Sequence, residues 1–251
     1  MPEGVPLNAQ EYEIQYRLED SYWWFVGRRR IICAWLSQLV GGNSDQLLLD
    51  IGCGTGTTMW RLRQFCRVVG VDFSNLALAR AQSRGLDRLV GGSALSLPFA
   101  EGSFGLLTLL DVLEHLKDDA GALRGMRRIL RPGGSLLLTV PAYPSLWSQH
   151  DVALHHYRRY TGSRLRNVVE AADFRVERLS YAICAPTPLT FAFRWAQGRL
   201  ATPAAPKTAL IQLPRPLNQF LISLLTLEAF ALRATALPFG VSLLCHAVRI
   251  D

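Results

Sequence analysis

The stretch Leu47-Leu-Leu-Asp-Ile-Gly-Cys-Gly-Thr-Gly56 constrains the chain more than any other. Leu47 to Ile51 is too short and too uniformly apolar for an amphipathic helix, so it reads as a strand buried on both faces of a parallel sheet. Gly52, Gly54 and Gly56 let the backbone turn tightly and approach a ligand with no Cβ in the way, and Thr57 to Phe65 supplies the next helix. Twenty residues beyond Gly52, Arg67-Val-Val-Gly-Val-Asp72 reads as a second buried strand ending in an acid. A carboxylate there can accept two hydrogen bonds from a ribose diol. The spacing narrows the ligand. A dinucleotide fingerprint starting at Gly52 needs glycine where Thr57 stands, and no lysine follows the turn to make a phosphate loop. Asp50 opposes a pyrophosphate and favours an ammonium group nearby.

The run Leu49-Asp-Ile-Gly-Cys-Gly-Thr-Gly56 resembles the first motif of the class I S-adenosylmethionine-dependent methyltransferases, and Val71-Asp-Phe-Ser74 resembles their second. The likeness continues through Leu97-Pro-Phe99, Ser103-Phe104, Leu110-Asp-Val-Leu-Glu-His-Leu116 and Leu130-Arg-Pro-Gly-Gly-Ser-Leu-Leu-Leu138, and covers residues 45 to 180. It implies a doubly wound, seven-stranded, mostly parallel α/β sheet. It also implies S-adenosylmethionine as cofactor and S-adenosylhomocysteine as product, held by Asp50, Gly52, Cys53, Gly54, Asp72, Phe73, Ser93, Ala94 and Asp111. The family commonly has an acid at the position of Ser93, to bond the adenine amino group; here a hydroxyl or a backbone carbonyl must serve.

Before the sheet, residues 11 to 40 read as one or two helices carrying Tyr22-Trp-Trp-Phe25 and Arg28-Arg-Arg30. The aromatics either pack on the core with the arginines in water, or close over the cofactor with Arg28 near a carboxylate or phosphate. Ser74 is a fair N-cap for a helix Asn75 to Arg84, and Phe104 to Leu110 reads as the fourth strand. Its carboxyl end delivers Asp111, Glu114 and His115, where ligands of open α/β sheets bind. Asp111 can line the cofactor while Glu114 and His115 begin a helix; His115 can act as a general base; or the three can hold Mg²⁺ or Mn²⁺, as a comparable run does in ubiquinone-type O-methyltransferases. A metal is not part of the expected cofactor set. A helix Asp118 to Leu130 is stopped by Pro132-Gly133-Gly134, and a strand Ser135 to Val140 follows.

The connection Pro141 to Tyr160 is long, leaves a central strand and holds three of the five histidines. Loops of that length in a compact domain are usually functional. An imidazole takes a proton near neutral pH and an adjacent carboxylate orients it, so His150 with Asp151 is the first choice for acid/base work, with His155 or His156 behind it. The alternative is that these residues only knit the loop together. Arg158 and Arg159 either bind an anionic substrate or face water.

A helix after Thr161 or Ser163 and a strand Phe174 to Tyr181 come next, and then some 60 residues precede the last strand, Val241 to Ile250. This insert is broken by seven prolines between Pro186 and Pro238 and holds two apolar pieces, Leu189 to Leu200 and Leu217 to Leu237. Asn218, Gln219, Glu228 and Arg233 interrupt the second, which argues against a membrane span and for a lid, a dimer contact or a helix lying on a bilayer. The expected organisation is a helical cap (1–45), a core (46–182), the apolar insert (183–240) and a final core strand (241–251).

The formal charge of +7 rests on arginine, with Lys117 and Lys207 the only lysines, and comes in short separate clusters that do not suggest nucleic acid. Five scattered cysteines indicate neither zinc nor a disulfide framework, and the polar, acidic opening is no secretory signal, so a cytoplasmic protein is expected. An apolar insert beside arginines suggests a hydrophobic or lipid-linked acceptor, methylated on oxygen at the inner membrane face. A soluble natural product methylated on oxygen, nitrogen or carbon, or a cofactor-binding scaffold without turnover, are the alternatives.

Overall fold

The computed structural model describes residues 9–42, 45–188, 191 and 213–251. Two helices, α1 (Ala9–Leu18) and α2 (Trp23–Val40), precede the sheet. Then come β1 (Leu47–Ile51), α3 (Thr57–Leu62), β2 (Arg67–Asp72), α4 (Asn75–Ser83), β3 (Leu89–Gly91), β4 (Phe104–Leu110), α5 (Asp119–Ile129) and β5 (Leu130–Pro141). The described chain continues with α6 (Gln149–Ala153), α7 (Gly162–Glu170), β6 (Phe174–Ala182), α8 (Arg215–Ala231) and β7 (Ser242–Arg249).

The seven strands form one sheet in the order β3-β2-β1-β4-β5-β7-β6. The first five are parallel, and β7 runs antiparallel to both β5 and β6, so the expected doubly wound sheet is mixed at one edge. Strand alternation divides the core between two faces. Leu49 and Ile51 of β1 pack with Leu123, Met126 and Ile129 of α5 and with Leu165 and Val169 of α7. Leu48 points the other way, onto a layer that includes Ile32 and Leu36 of α2, Met59 of α3 and Leu225 and Ala229 of α8. The strand order reverses between β1 and β4, and the crevice there, at the strand carboxyl ends, is where such sheets bind ligands.

One boundary differs from the sequence reading. The helix α5 already ends at Ile129, and Pro132-Gly133-Gly134 lie inside β5. Leu130 pairs with Phe104, then the register jumps to Ser135 opposite Leu106, so the proline and glycines form a bulge. Proline there needs no ladder partner and Gly133, at φ +70°, makes the bend.

The apolar piece Leu189 to Leu200 lies outside the described residues except for Phe191. The other piece forms α8, which runs parallel to α2 and shares its layer. The polar residues that interrupt it are anchors. Asn218 accepts from the Trp23 amide and donates to the Ser21 carbonyl, each at 2.9 Å. Glu228, buried, accepts from the amides of Ile183 and Cys184 just past β6. The outward side carries exposed Leu217, Phe220, Leu227 and Phe230. No helix among the described residues is long and apolar enough to cross a membrane.

Gly27 is where α2 and α8 touch most closely. A Cβ there would stand 2.2 Å from Leu225 Cδ1 and 2.8 Å from its Cβ. Gly27→Ala should therefore push the helices apart and cost about 1–3 kcal/mol. At about 2–4 °C per kcal/mol for a chain of this size, calorimetry should read a drop of several degrees. An unchanged melting temperature would refute this packing.

Candidate functional site

The glycine turn after β1 is built as its sequence suggests. Gly52, Gly54 and Gly56 all have positive φ, at +72°, +55° and +85°. The amides of Gly52 and Cys53 donate to the Val71 carbonyl at 2.8 and 3.1 Å, tying the turn to β2. Gly56 is packed so closely that a Cβ would lie 2.5 Å from Leu86, whereas a Cβ on Gly54 would meet nothing within 4 Å. That open glycine leaves bare backbone facing the crevice. Asp72 accepts the Gly54 amide on Oδ2 and the Ser74 amide on Oδ1, both at 2.9 Å. Each of its oxygens keeps a second acceptor position. Phe73 beside it is exposed, and Tyr12 of α1 is buried over this corner, sharing a hydrogen bond with the Ser74 side chain.

Asp50 is 2% exposed and accepts from the Thr108 hydroxyl at 2.6 Å. Burial pushes its carboxyl up to about 6, against the pull of that hydrogen bond and of Arg28. A cation entering the crevice would restore its charge. Ser93 is exposed and its hydroxyl accepts the Leu95 amide at 3.2 Å; Ala94 beside it is half-buried.

Asp111 ends β4 at φ +56°, which turns its side chain back onto the neighbouring strand and helix. Arg28 Nη2 lies 3.0 Å from Asp111 Oδ2, and the Thr139 hydroxyl donates to Oδ1 at 2.7 Å. The carboxylate expected near Arg28 is thus the protein's own, and the pair joins α2, β4 and β5 at the crevice.

The histidines are paired by the loop after β5, and differently from their order in the chain. Asp151 caps α6: Oδ2 accepts from the amide and the hydroxyl of Ser148, at 2.9 and 3.2 Å. Its Oδ1 meets His156 Nδ1 at 3.0 Å and Arg159 Nε at 2.7 Å. These four contacts fill a carboxylate's acceptor capacity. Burial alone would raise the Asp151 pKa, but hydrogen bonds and charge from His156 and Arg159 hold it well below the ordinary carboxylate range. His150 sits next to Asp151 on α6, yet neighbouring helical positions point roughly 100° apart. The orienting acid of the expected His150 and Asp151 pair therefore serves His156.

His156 stands edge-on to His115, ring centroids 4.6 Å apart. Burial and the neighbouring His156 push His115 down to about 4, so it is neutral at neutral pH, and its ring is hydrogen-bonded to the Leu154 backbone. Glu114 completes the group: one ligand atom from each of Glu114, His115 and His156 lies within 4.8 Å of the others. Burial, then the Asp111 charge, raises Glu114 well above its ordinary value, and its Oε2 is buried without a hydrogen-bond partner. The acidic trio suggested by the sequence is thus rearranged, with Asp111 turned to Arg28 and His156 in its place.

Arg158 and Arg159 are structural. Arg158 pairs with Asp119 at 2.7 Å, and Arg159 binds Asp151 and the Ala142 carbonyl. Sequence reasoning missed Tyr12 and a latch around Glu19, which accepts from the Thr55 hydroxyl at 2.6 Å and from Arg84 at 2.5 Å. It also missed Tyr143, at φ +58°, stacked on Tyr181 with centroids 5.2 Å apart and touching Phe191 at 5.3 Å. An aromatic just past a strand's carboxyl end was the available signal. A cavity of about 230 Å³ beside Arg63, Arg67 and Arg88 opens at the amino ends of the strands, away from this chemistry.

Comparison with known proteins agrees with this geometry. The family described as a methyltransferase domain matches residues 49–138. A probable S-adenosylmethionine-dependent methyltransferase of Mycolicibacterium smegmatis is 28% identical over 182 residues, 70% of this chain and 68% of that protein. A demethylmenaquinone methyltransferase of Beutenbergia cavernae is 32% identical over 144 residues, 57% of this chain and 58% of that one. The chain spans 47% to 68% of the length of the first curated relatives it matches. Among solved structures, the YcgJ protein of Bacillus subtilis aligns with a TM-score of 0.56 at 19% identity, covering 86% of this chain and 97% of that one. A Haemonchus contortus phosphoethanolamine N-methyltransferase 2 in complex with S-adenosyl-L-methionine aligns with a TM-score of 0.55 at 20% identity, covering 83% and 49%. Residues 49–138 carry a methyltransferase domain, and glycine turn, strand order and relatives together support a class I S-adenosylmethionine-dependent methyltransferase.

Proposed function

We propose that this chain transfers a methyl group from S-adenosylmethionine to a hydroxyl oxygen of an apolar or lipid-linked acceptor in the cytoplasm. The observation that carries the reading is the cluster of Glu114, His115 and His156 at the carboxyl end of β4, in which Asp151 orients His156. His156, its ring oriented by Asp151, supports the reading as the group to take a hydroxyl proton beside the strand ends where open α/β sheets bind ligands.

The residues fit that donor. The bare backbone at Gly54 accepts close approach, Asp72 has free acceptor positions for a ribose diol, and buried Asp50 is suited to an ammonium group. The sulfonium supplies an electrophilic methyl carbon, so the protein has to align the acceptor, exclude water and take up a proton. The acceptor O–H gives up its proton at the histidine cluster, its oxygen forms the new bond to carbon, and the C–S electron pair stays on sulfur. Tyr143, Tyr181 and Phe191 support an apolar acceptor, as do the relatives named for demethylmenaquinone. The exposed Phe220, Leu227 and Phe230 on α8 support contact with a membrane surface or a second copy of the chain.

Calorimetric titration with S-adenosylmethionine and S-adenosylhomocysteine tests the cofactor half: micromolar binding is expected, and none to the folded protein would overturn the reading. The pH dependence is specific to Asp50. Above about 6 its carboxyl is ionised and faces the ammonium; below that it is neutral. Affinity for S-adenosylmethionine should be level between pH 6 and about 7.7, where the ligand's α-ammonium begins to deprotonate, and fall toward tenfold per pH unit below 6. Asp50→Asn should bind weakly at every pH, and a wild-type profile in that variant would remove Asp50 from the site.

For the acceptor half, His156→Ala should lower turnover by about 10²–10⁴-fold with cofactor affinity unchanged. Turnover at the wild-type rate would take His156 out of the mechanism. Cofactor binding with no product across lipid and hydroxy-aromatic acceptors would favour a scaffold subunit instead.

A further inference from the structure

The cavity of about 230 Å³ at the amino ends of β2 and β3 is lined by groups that the crevice chemistry does not use. Its rim comes from three backbone positions that the fold fixes. Arg63 follows α3 and donates from Nη1 to the Gly85 carbonyl at 3.2 Å. Arg67 opens β2, and Arg88 precedes β3, where its carbonyl accepts the Gly70 amide at 2.8 Å. Met59, Cys66, Val68 and Leu86 supply a buried apolar wall. Burial pushes the Cys66 thiol up to about 11, so it serves as part of that wall and not as a nucleophile.

Charge in the cavity is unbalanced. Three guanidinium groups and one carboxylate, that of Asp87, line it, and all four residues are exposed. None of the ion pairs among the described residues involves Arg63, Arg67, Asp87 or Arg88. By contrast Arg28, Arg84, Arg158 and Arg159 are each held against an acid. Arg63 has a local reason for its position, because a cation suits the carboxyl end of a helix. Arg67 and Arg88 begin neighbouring strands and have no such reason to gather, and like charges brought together repel. An anion among the three guanidinium groups turns that repulsion into attraction.

We propose that this cavity binds one phosphate group, free or at the end of a small phosphomonoester, through Arg63, Arg67 and Arg88. Guanidinium groups present paired N–H donors that match phosphate oxygens, and they stay charged at every working pH. The volume bounds the ligand. About 230 Å³ lies below the roughly 300–1,000 Å³ of sites for drug-sized molecules, which suits a phosphate carrying a few carbon atoms and is too small for a dinucleotide. The apolar wall receives those carbons. The phosphate of a lipid head group has the same chemistry, and the experiment separates the two sources. The site does not rest on the methyl-transfer reading.

The test is calorimetric titration of the full chain, in phosphate-free buffer of low salt, with inorganic phosphate, glycerol phosphate and glycerol. One equivalent of each phosphate should bind, and glycerol should not. Arg67→Gln and Arg88→Gln change exposed side chains outside the core, and each should weaken binding about 10–100-fold, the worth of a hydrogen bond to a charged group. Asp87→Asn should strengthen it, since the rim carboxylate opposes an anion. Arg215→Gln, at the start of α8, makes the same change in net charge and should leave affinity unaltered. S-adenosylmethionine should not displace the phosphate, because Asp50 and Asp72 lie at the opposite ends of their strands. Phosphatidylcholine vesicles carrying phosphatidic acid read the source: sedimentation that both free phosphate and Arg67→Gln abolish assigns the cavity to a lipid head group, and phosphate binding without such sedimentation assigns it to a soluble ligand.

No phosphate binding by the folded wild type overturns the proposal. An equal loss in Arg215→Gln also overturns it, by showing attraction to net charge alone. Displacement by S-adenosylmethionine does the same, by putting the anion in the crevice. Failure of S-adenosylmethionine to bind at all would sink methyl transfer and leave the phosphate site standing on its own titration.

Discussion

The buried carboxylate of Asp151 is the group on which the carboxyl end of the central strands depends. It is fully excluded from water and tolerable there only because Arg159 neutralises it and His156 and Ser148 fill its remaining acceptor positions. Breaking such a network by removing one partner typically costs about 3–5 kcal/mol. These bonds cross-link the 20-residue connection from Ser148 to Arg159. Backbone bonds then sew the loop to the sheet: Tyr160 to Pro141 at 3.0 Å, Tyr143 to Tyr160 at 2.9 Å, and Tyr157 to Glu114 at 2.8 Å. The last of these carries His156 to the end of β4, beside Glu114 and His115.

A second set of charges brings the amino-terminal helices into the crevice wall. Glu19, 5% exposed, holds the Thr55 hydroxyl of the glycine turn and the Arg84 guanidinium, while Arg29 donates to its carbonyl at 2.9 Å. Arg28 reaches the far side, to Asp111 and Thr139. The helices α1 and α2 are therefore clamped to both lips of the switch point, and α8, riding on α2, shares their position through Leu225 and Asn218. Residues more than 190 positions apart in sequence thus meet where α2 and α8 pack.

Much of the architecture was legible in the residues. Short apolar runs ending in acids marked β1, β2 and β4, and the glycine turn stood where its spacing required. Ser74 was readable as a cap and indeed accepts the Ala77 amide. The misreading at Pro132 came from treating a helix breaker as the end of the helix, when the pairing of Leu130 with Phe104 had already turned the chain into a strand. The charged residues of the insert looked like interruptions because their partners, the amides of Trp23 and Ile183, are far away in sequence.

The sequence by itself determined the order of strands and turns, the open backbone at Gly54 and the collection of ionisable groups after β4 and β5. Such features follow from local periodicity, backbone freedom and residue type, which act over a few positions. Only the tertiary structure decided which acid serves which base. Adjacency in the chain paired Asp151 with His150, but a helical turn separates neighbouring side chains, and the loop's course along β4 handed Asp151 to His156 and Arg159. In the same way the positive φ of Asp111 gave it to Arg28 and left Glu114 with the two imidazoles. Side-chain partnership depends on direction and on long-range register, and a linear pattern carries neither.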